Sequence, residues 1–321
     1  MNLKNVTITA LSVLWLTPHL AYAHTDRAFY HAIQYGAAAR LVIRVLDDIE
    51  RPVGGVKITA RFDSAFKASG EFKSFVTDTN GIAEVTGRTG KSVSLRATKD
   101  GYYGSTDEVC FVSMGQGVKN GTWQPSNFKK IIVLNRIRNP KATRPRVSYG
   151  RYTNVTGSWL GFDIAKYDFV KPTGNGEVID FEVKFEWDGQ RGENFHGMDM
   201  DIRFSEPFAG AYYHERMMQS DFKDAYFAST NATYQKNFTF YSHPVRNRAG
   251  EIVARNQRHF DTTKTLVVRS RCALDDDGKL KSARYSEITD LSFGCGRKGV
   301  WIMFQPVFNP TLNDTNLEPK Q

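Results

Sequence analysis

Cysteine is the scarcest structural resource in this chain, at three in 321 residues, with proline (11) and histidine (7) also sparse. Three thiols cannot staple a chain of this length into a disulfide scaffold, so its stability has to come from packed hydrophobic cores. Long apolar runs are missing beyond the first two dozen residues, and none approaches the ~20 residues that a membrane-spanning helix requires. Common catalytic signatures are missing too. Gly157-Ser158-Trp159-Leu160-Gly161 has the wrong spacing for a nucleophile elbow, and His214-Glu215 continues into Arg216-Met217-Met218 instead of reaching the second histidine of a zinc-binding helix. With no phosphate loop and no Cys-x-x-Cys pair, the sequence lends no support to hydrolase, metallopeptidase, nucleotide-dependent or thiol-redox chemistry.

What is present is a globular composition. Hydrophobic residues make up 40% and aromatics 13%, enough to fill two cores of ordinary size. The formal charge of +9 favours anionic surfaces such as cell-wall polymers, lipopolysaccharide or acidic glycans, and also serves plain solubility. No nucleic-acid reading motif accompanies it, so nucleic acid is not an expected partner. Residues 1–23 have the make-up of a secretory signal peptide: Lys4, an apolar stretch from Val6 to Leu16, then Ala21-Tyr22-Ala23. The expectation is an exported protein of bacterial type, secreted or periplasmic, whose mature chain starts at His24 and has no transmembrane segment.

The stretch from Asp47 to Tyr103 carries the clearest strand signals. Val56, Ile58 and Ala60 alternate with polar partners after Gly54-Gly55; Ile82, Ala83 and Val85 follow Asp78-Thr79-Asn80-Gly81; Val93, Leu95 and Ala97 close on Asp100-Gly101. Short strands at near-regular spacing predict an antiparallel sandwich, because each strand buries one face and needs a second sheet to cover it. Arg51-Pro52-Val53-Gly54-Gly55-Val56, Thr77-Asp78-Thr79-Asn80-Gly81 and Ala97-Thr98-Lys99-Asp100-Gly101-Tyr102 also resemble the carboxypeptidase regulatory-like domain, a transthyretin-type β-sandwich. The resemblance implies a fold for residues 40–135 and no chemistry, since every matched position is a turn or core position and the metal-binding pattern of the peptidases that carry this domain is not found.

Residues 24–39 form an N-terminal segment before this sandwich, which Phe128–Leu134 closes. Residues 136–150, with five basic residues and two prolines, read as a linker. Residues 151–321 read as a second, jelly-roll-like sandwich, most clearly where Phe181, Val183, Phe185 and Trp187 alternate with Glu182, Lys184 and Glu186. Further strands are predicted at 198–204, 237–242, 265–271, 288–293 and 300–304, a short helix over 215–230, and a tail that packs along an edge before fraying. The predicted class is thus all-β, two antiparallel β-sandwiches in tandem.

The same pattern nominates functional residues. Cys272 and Cys295 are the expected disulfide, because the Asp275–Gly278 turn folds their flanking strands together, and Cys110 in Glu108–Val112 reads as a buried thiol. An N-terminal His24 offers an amine and an imidazole suited to copper(II), with His31 as a further nitrogen. This resembles the histidine brace of copper polysaccharide monooxygenases, of which His24 alone is matched. His196, Met198 and Met200 would share one side of a strand and suit Cu(I), although alternating methionines also simply fill cores. Asp163, Asp168, Asp180, Glu186 and Asp188 supply carboxylates from which a glycosidase pair could be drawn. Asp275–Gly278 and Asp78–Gly81 are oxygen-rich but read as hairpin turns, not calcium loops. Trp123, Tyr212 and Tyr213 lie in Gly- or Ala-rich segments and are the expected stacking residues for sugar rings, while Trp187 and Trp301 are assigned to the core.

The leading expectation is a non-catalytic exported protein that binds an extracellular or envelope polymer, a glycan or cell wall, or an envelope protein. The alternatives are a copper-binding protein or copper-dependent enzyme built on His24, and a glycoside-active enzyme.

Overall fold

A computed structural model describes residues 27–63, 70–115, 117–145, 147, 149–190 and 196–320. One helix, α1 (Arg27–Tyr35), precedes β1 (Ala37–Asp47), β2 (Lys57–Phe62), β3 (Glu71–Val76), β4 (Ile82–Thr89), β5 (Ser92–Thr98), β6 (Ser105–Cys110), β7 (Val118–Lys119), β8 (Thr122–Trp123) and β9 (Phe128–Leu134). β10 (Arg151–Thr153), β11 (Leu160–Asp163), β12 (Asp168–Phe169), β13 (Phe181–Trp187), β14 (Met198–Arg203) and β15 (Gly210–Glu215) follow. The chain continues through β16 (Asn237–Arg246), β17 (Ile252–Arg258), β18 (Lys264–Leu274), β19 (Leu280–Gly296) and β20 (Gly299–Phe308). No helix among the described residues is long and apolar enough to cross a membrane.

The protein is all-β and built as two sandwiches. In the first, the sheet β4-β1-β8-β7, with β9 also on β1, faces the sheet β3-β2-β5-β6. Leu41, Ile43 and Val45 of one sheet meet Ile58, Ala60 and Leu95 of the other, the inward half of a strict in–out alternation. β1 runs parallel to β8 and β9, while the other strand pairs of this sandwich are antiparallel. In the second sandwich, β10-β20-β19-β18-β15 faces β12-β11-β13-β14-β16-β17 across a core rich in phenylalanine, including Phe162, Phe181, Phe185, Phe240 and Phe304. Consecutive strands pair at β11-β12, β13-β14, β16-β17, β18-β19 and β19-β20, and the other connections pass between the sheets or skip a strand.

Three local expectations change. Residues 215–230 form no helix. Met217, Met218 and Phe227, which would have shared its buried face with Phe222, are exposed, and the segment instead fastens the sandwiches together. Ser220 bridges Ser105, Asp221 accepts two hydrogen bonds from Arg96 (2.6 and 3.2 Å), and Phe222 stacks on Tyr103 at 4.9 Å. Three basic residues of the 136–150 stretch engage the first sandwich and the tail: Arg136 lies 2.9 Å from Asp47, Arg138 pairs with Asp48, and Lys141 with Asp314 at 3.1 Å. The tail does not fray. Leu317 and Glu318 are buried, and Glu318 accepts hydrogen bonds from the Arg138 and Asn139 N–H groups and from the Tyr103 hydroxyl at 2.7–2.9 Å.

The expected Cys272–Cys295 disulfide is not formed among the described residues. The Asp275–Gly278 turn does close a hairpin, but its register sets Ala273 opposite Ser282, whereas Cys295 lies opposite Val300 at the far end of β19. About a dozen residues of strand at roughly 3.3 Å each separate the two positions, and a disulfide needs Cα atoms within about 7 Å. Burial, seconded by the Glu206 charge, pushes the Cys272 thiol up to about 11.

Candidate functional site

The residues nominated for sugar stacking are not an open platform. Trp123 is fully buried: its ring stacks on Phe111 at 5.8 Å, Phe29 of α1 covers its edge, and its indole N–H donates to the Thr89 carbonyl at 2.8 Å. Tyr212 and Tyr213 are neighbours on β15 and so point to opposite faces. Tyr212 packs edge-on against Tyr234 beneath the 225–228 segment and accepts the Ser229 N–H at 2.9 Å. Tyr213 turns to Phe238 and Phe260 at the rim of the sandwich.

Nor are the nominated metal ligands gathered. His24 lies outside the described residues. His31 is exposed on α1 against Tyr35, and His196 is exposed in the loop before β14, while Met198 and Met200 are core side chains. Among the described residues no group of three His, Cys, Asp or Glu is placed to hold a metal ion. Asp78 and Asp275 accept hydrogen bonds from N–H groups two and four residues on, at 2.8–3.1 Å, which is turn chemistry.

Two of the dense carboxylates do come together, around Arg271. Asp180 takes the Arg271 Nε and Nη2 hydrogens at 2.8 Å, the Ser270 hydroxyl at 2.6 Å and the Ile164 N–H at 2.8 Å. Asp163 takes Arg271 Nη2 at 2.9 Å and the N–H groups of Lys166, Glu177 and Val178 at 3.0–3.2 Å. Burial alone would raise Asp163; the three N–H donors and then the guanidinium outweigh it and hold this carboxyl below its usual range. A bulge in β18 at Arg271 (φ 51°) turns this side chain inward beside Ser270. Carboxylates so fully engaged lock the two sheets and are not free to act as an acid–base pair.

The outer face of β10-β20-β19-β18-β15 is built differently. Cross-strand register sets out its rows. Tyr152, Trp301 and Gly294 form one, and Met303 pairs with Ser292 in the next. Gln305, Thr289, Thr265 and His214 follow, then Val307, Glu287, Val267 and Tyr212. The last row is covered by residues 225–228 and the tail. The first is partly open: Tyr152 is 43% exposed and Trp301 is half-buried. A Cβ on Gly294 would fall 2.7 Å from the Trp301 ring, and one on Gly150 3.4 Å, so the indole lies over bare backbone on both sides. The Lys298 ammonium sits 5.9 Å from the Tyr152 ring centre.

Between the open and covered rows lies a cleft of about 320 Å³ whose floor includes Thr289, Gln305 and Val307. Arg216 anchors one wall, with Nε on Asp224 at 2.9 Å and Nη1 on Asp290 at 2.8 Å. Asp290 sits at a bulge in β19 with φ 52°, which offsets this residue from the strand's alternation. Burial raises Asp224 above the usual carboxylate range against the pull of Arg216 and Arg144. Glu287, wholly buried, is raised well above it by burial and then by Asp224; one oxygen accepts the Ala225 N–H at 2.9 Å and the other has no partner. His214 is lowered by burial, against the charges of Asp224 and Glu215. A larger, shallower depression of about 560 Å³ on the outer face of β3-β2-β5-β6 exposes Phe72, but its Arg96 is spent on Asp221 and its Glu108 on Ser92.

Sequence reasoning missed this face for a definite reason. Trp301 alternates correctly with Val300 and Ile302, but the alternation does not say which side is covered, and Tyr152 belongs to a three-residue strand with no pattern of its own.

No protein-family model matches this chain, and no curated protein matches it. Solved structures similar to it include chlorocatechol 1,2-dioxygenase from Pseudomonas putida (12% identity over 32% of this chain and 61% of that one, TM-score 0.27). Another is 3-chlorocatechol 1,2-dioxygenase from Rhodococcus opacus 1CP (12% identity, 32% and 62%, TM-score 0.26). A third is catechol 1,2-dioxygenase from Acinetobacter sp. ADP1 (13% identity, 35% and 58%, TM-score 0.25). This chain covers less than two thirds of each, and at these scores the likeness carries no argument about chemistry.

Proposed function

We propose that this chain is an exported, non-catalytic binding protein that holds an extracellular or envelope glycan against the outer face of β10-β20-β19-β18-β15. The observation that carries the reading is the Tyr152–Trp301–Gly294 row: two aromatic side chains on adjacent strands, the indole packed over glycine backbone, with Lys298 beside the tyrosine. Sugar rings present flat apolar faces that stack on such rings, and a polymer can repeat the contact along its length. The locked Asp163–Asp180–Arg271 cluster supports a binding role over a glycoside-cleaving one. We further read the first sandwich, on its resemblance to the carboxypeptidase regulatory-like type, as a spacer that braces the second through residues 217–226.

Co-sedimentation of the mature protein with insoluble polysaccharides and purified cell wall tests this. The expected result is retention that falls about fivefold for Trp301→Ala and less for Tyr152→Ala, each stacking contact contributing on the order of 1 kcal/mol. Retention that survives the Tyr152→Ala, Trp301→Ala double variant would place the ligand elsewhere, and no retention of the wild type would end the glycan reading.

A further inference from the structure

The cleft begins about four residues along β20 from Trp301, on the same face, and its cations are unequally engaged. Asp221 is matched by Arg96 of the first sandwich, and Arg216 serves both Asp224 and Asp290. That leaves Arg144 and Lys223. Arg144 is about half exposed and approaches Asp224 only to 3.8 Å, and Lys223 makes no ion pair among the described residues. The lining thus carries three cations and three carboxylates, but Arg96 neutralises Asp221 from outside the cleft, which leaves Arg144 and Lys223 the least engaged of its cations. The fixed part of the site is rigid, because Arg216 is held on two carboxylates and on the Thr262 carbonyl (3.0 Å). A guanidinium and an ammonium lining one cleft with Thr289 and Gln305 supply donors suited to an oxyanion, the guanidinium as a planar fork and the ammonium as a point charge.

We infer that this cleft is an anion site in which Arg144 and Lys223 grip a carboxylate or phosphate group, so that the ligand of the aromatic row is an acidic polymer. The acidic-polymer part rests on the proposed glycan reading; the anion site does not. Glu287, beneath the cleft, fits this arrangement. Its environment favours the neutral carboxyl, which adds no opposing charge where the oxyanion would sit.

Isothermal titration of the full chain with sodium glucuronate and with inorganic phosphate separates the two sources of the group. Binding of at least one is expected, weakening as salt is added because the contacts lie on an exposed rim. Arg144→Gln and Lys223→Gln should each weaken it about tenfold, the size expected for one charge-assisted hydrogen bond. Trp301→Ala, outside the cleft, should leave free-anion binding unchanged. If the wild type binds neither anion, or the Arg144→Gln, Lys223→Gln double variant binds as well as the wild type, the anion site is overturned even where neutral polysaccharide is still retained. Anion binding in a protein that no polymer retains would uphold the site and remove the glycan reading. Lys223→Arg, which keeps the charge, should restore most of the affinity and so separates loss of charge from loss of fold.

Discussion

The two faces of the β10-β20-β19-β18-β15 sheet treat buried polar groups in opposite ways. On the inner face, Asp163 and Asp180 are both saturated by Arg271 and backbone N–H groups, and Asp163 is held below its ordinary range. On the outer face, Glu287 is buried with one oxygen unmet and is held above it. The residue types are alike; the number of donors brought to each carboxylate decides the direction. The inner face is organised for stability, whereas the outer face leaves aromatic rings, rim cations and a strained Asp290 in place with no evident gain in packing. Residues that stability does not require are where a binding function is best sought.

The comparison breaks most severely at Arg271. Arg271→Met should leave two buried carboxylates without their cation and cost about 3–5 kcal/mol, read as a fall in the urea midpoint. Adding Asp163→Asn should recover part of that loss; a single variant as stable as the wild type would show that the cluster does not lock the sheets. The outer face should respond in the other direction. Glu287→Gln removes an ionisable group whose charged form burial disfavours, so a gain on the order of 1 kcal/mol is expected at neutral pH.

The pH dependence of the two sites sharpens the contrast. Asp163, lowered in the fold, contributes stability that is fully present above the unfolded carboxylate value and lost as pH falls through the lower folded one. Glu287, raised in the fold, does the reverse: its contribution is fully present below the unfolded value and is lost as pH rises towards the folded one. The advantage of Glu287→Gln should therefore grow from acid to neutral pH, measured as a difference in Tm between variant and wild type, and a constant difference would contradict the assignment. The smallest effect is expected from reductant. With no Cys272–Cys295 bond among the described residues, it should leave Tm unchanged, and Cys272 should react slowly with thiol reagents at mildly alkaline pH.

Much of the fold was legible in the sequence because period-two alternation records which residues are buried. Phe181–Trp187 and Phe128–Leu134 are strands where that pattern placed them, and the Asp78–Gly81 and Asp275–Gly278 turns sit where Asp, Asn and Gly cluster. What the pattern does not record is register and displacement from it. The bulge at Arg271 turns an outward position inward, and the bulge at Asp290 steps out of the alternation. The pairing of Cys272 with Cys295 failed on register alone, since the hairpin is real but its strands pair at other residues. Residues 215–230 carry a partial helical pattern that is overridden by docking onto the first sandwich, a tertiary effect with no local signal. The candidate site was least legible of all, because it is assembled from a three-residue edge strand, two half-buried rows and a rim contributed by residues 144 and 223.

Hydroxyl-radical footprinting of the protein on a retained polysaccharide or cell-wall fraction tests the central claim most directly, since it reads the exposure of individual aromatic side chains. The account predicts protection of Tyr152 and Trp301, with Tyr30 and Tyr35 of α1 labelled as in the free protein. Unchanged labelling of Tyr152 and Trp301 in the bound state, or protection confined to Phe72 and its neighbours on the first sandwich, would contradict it.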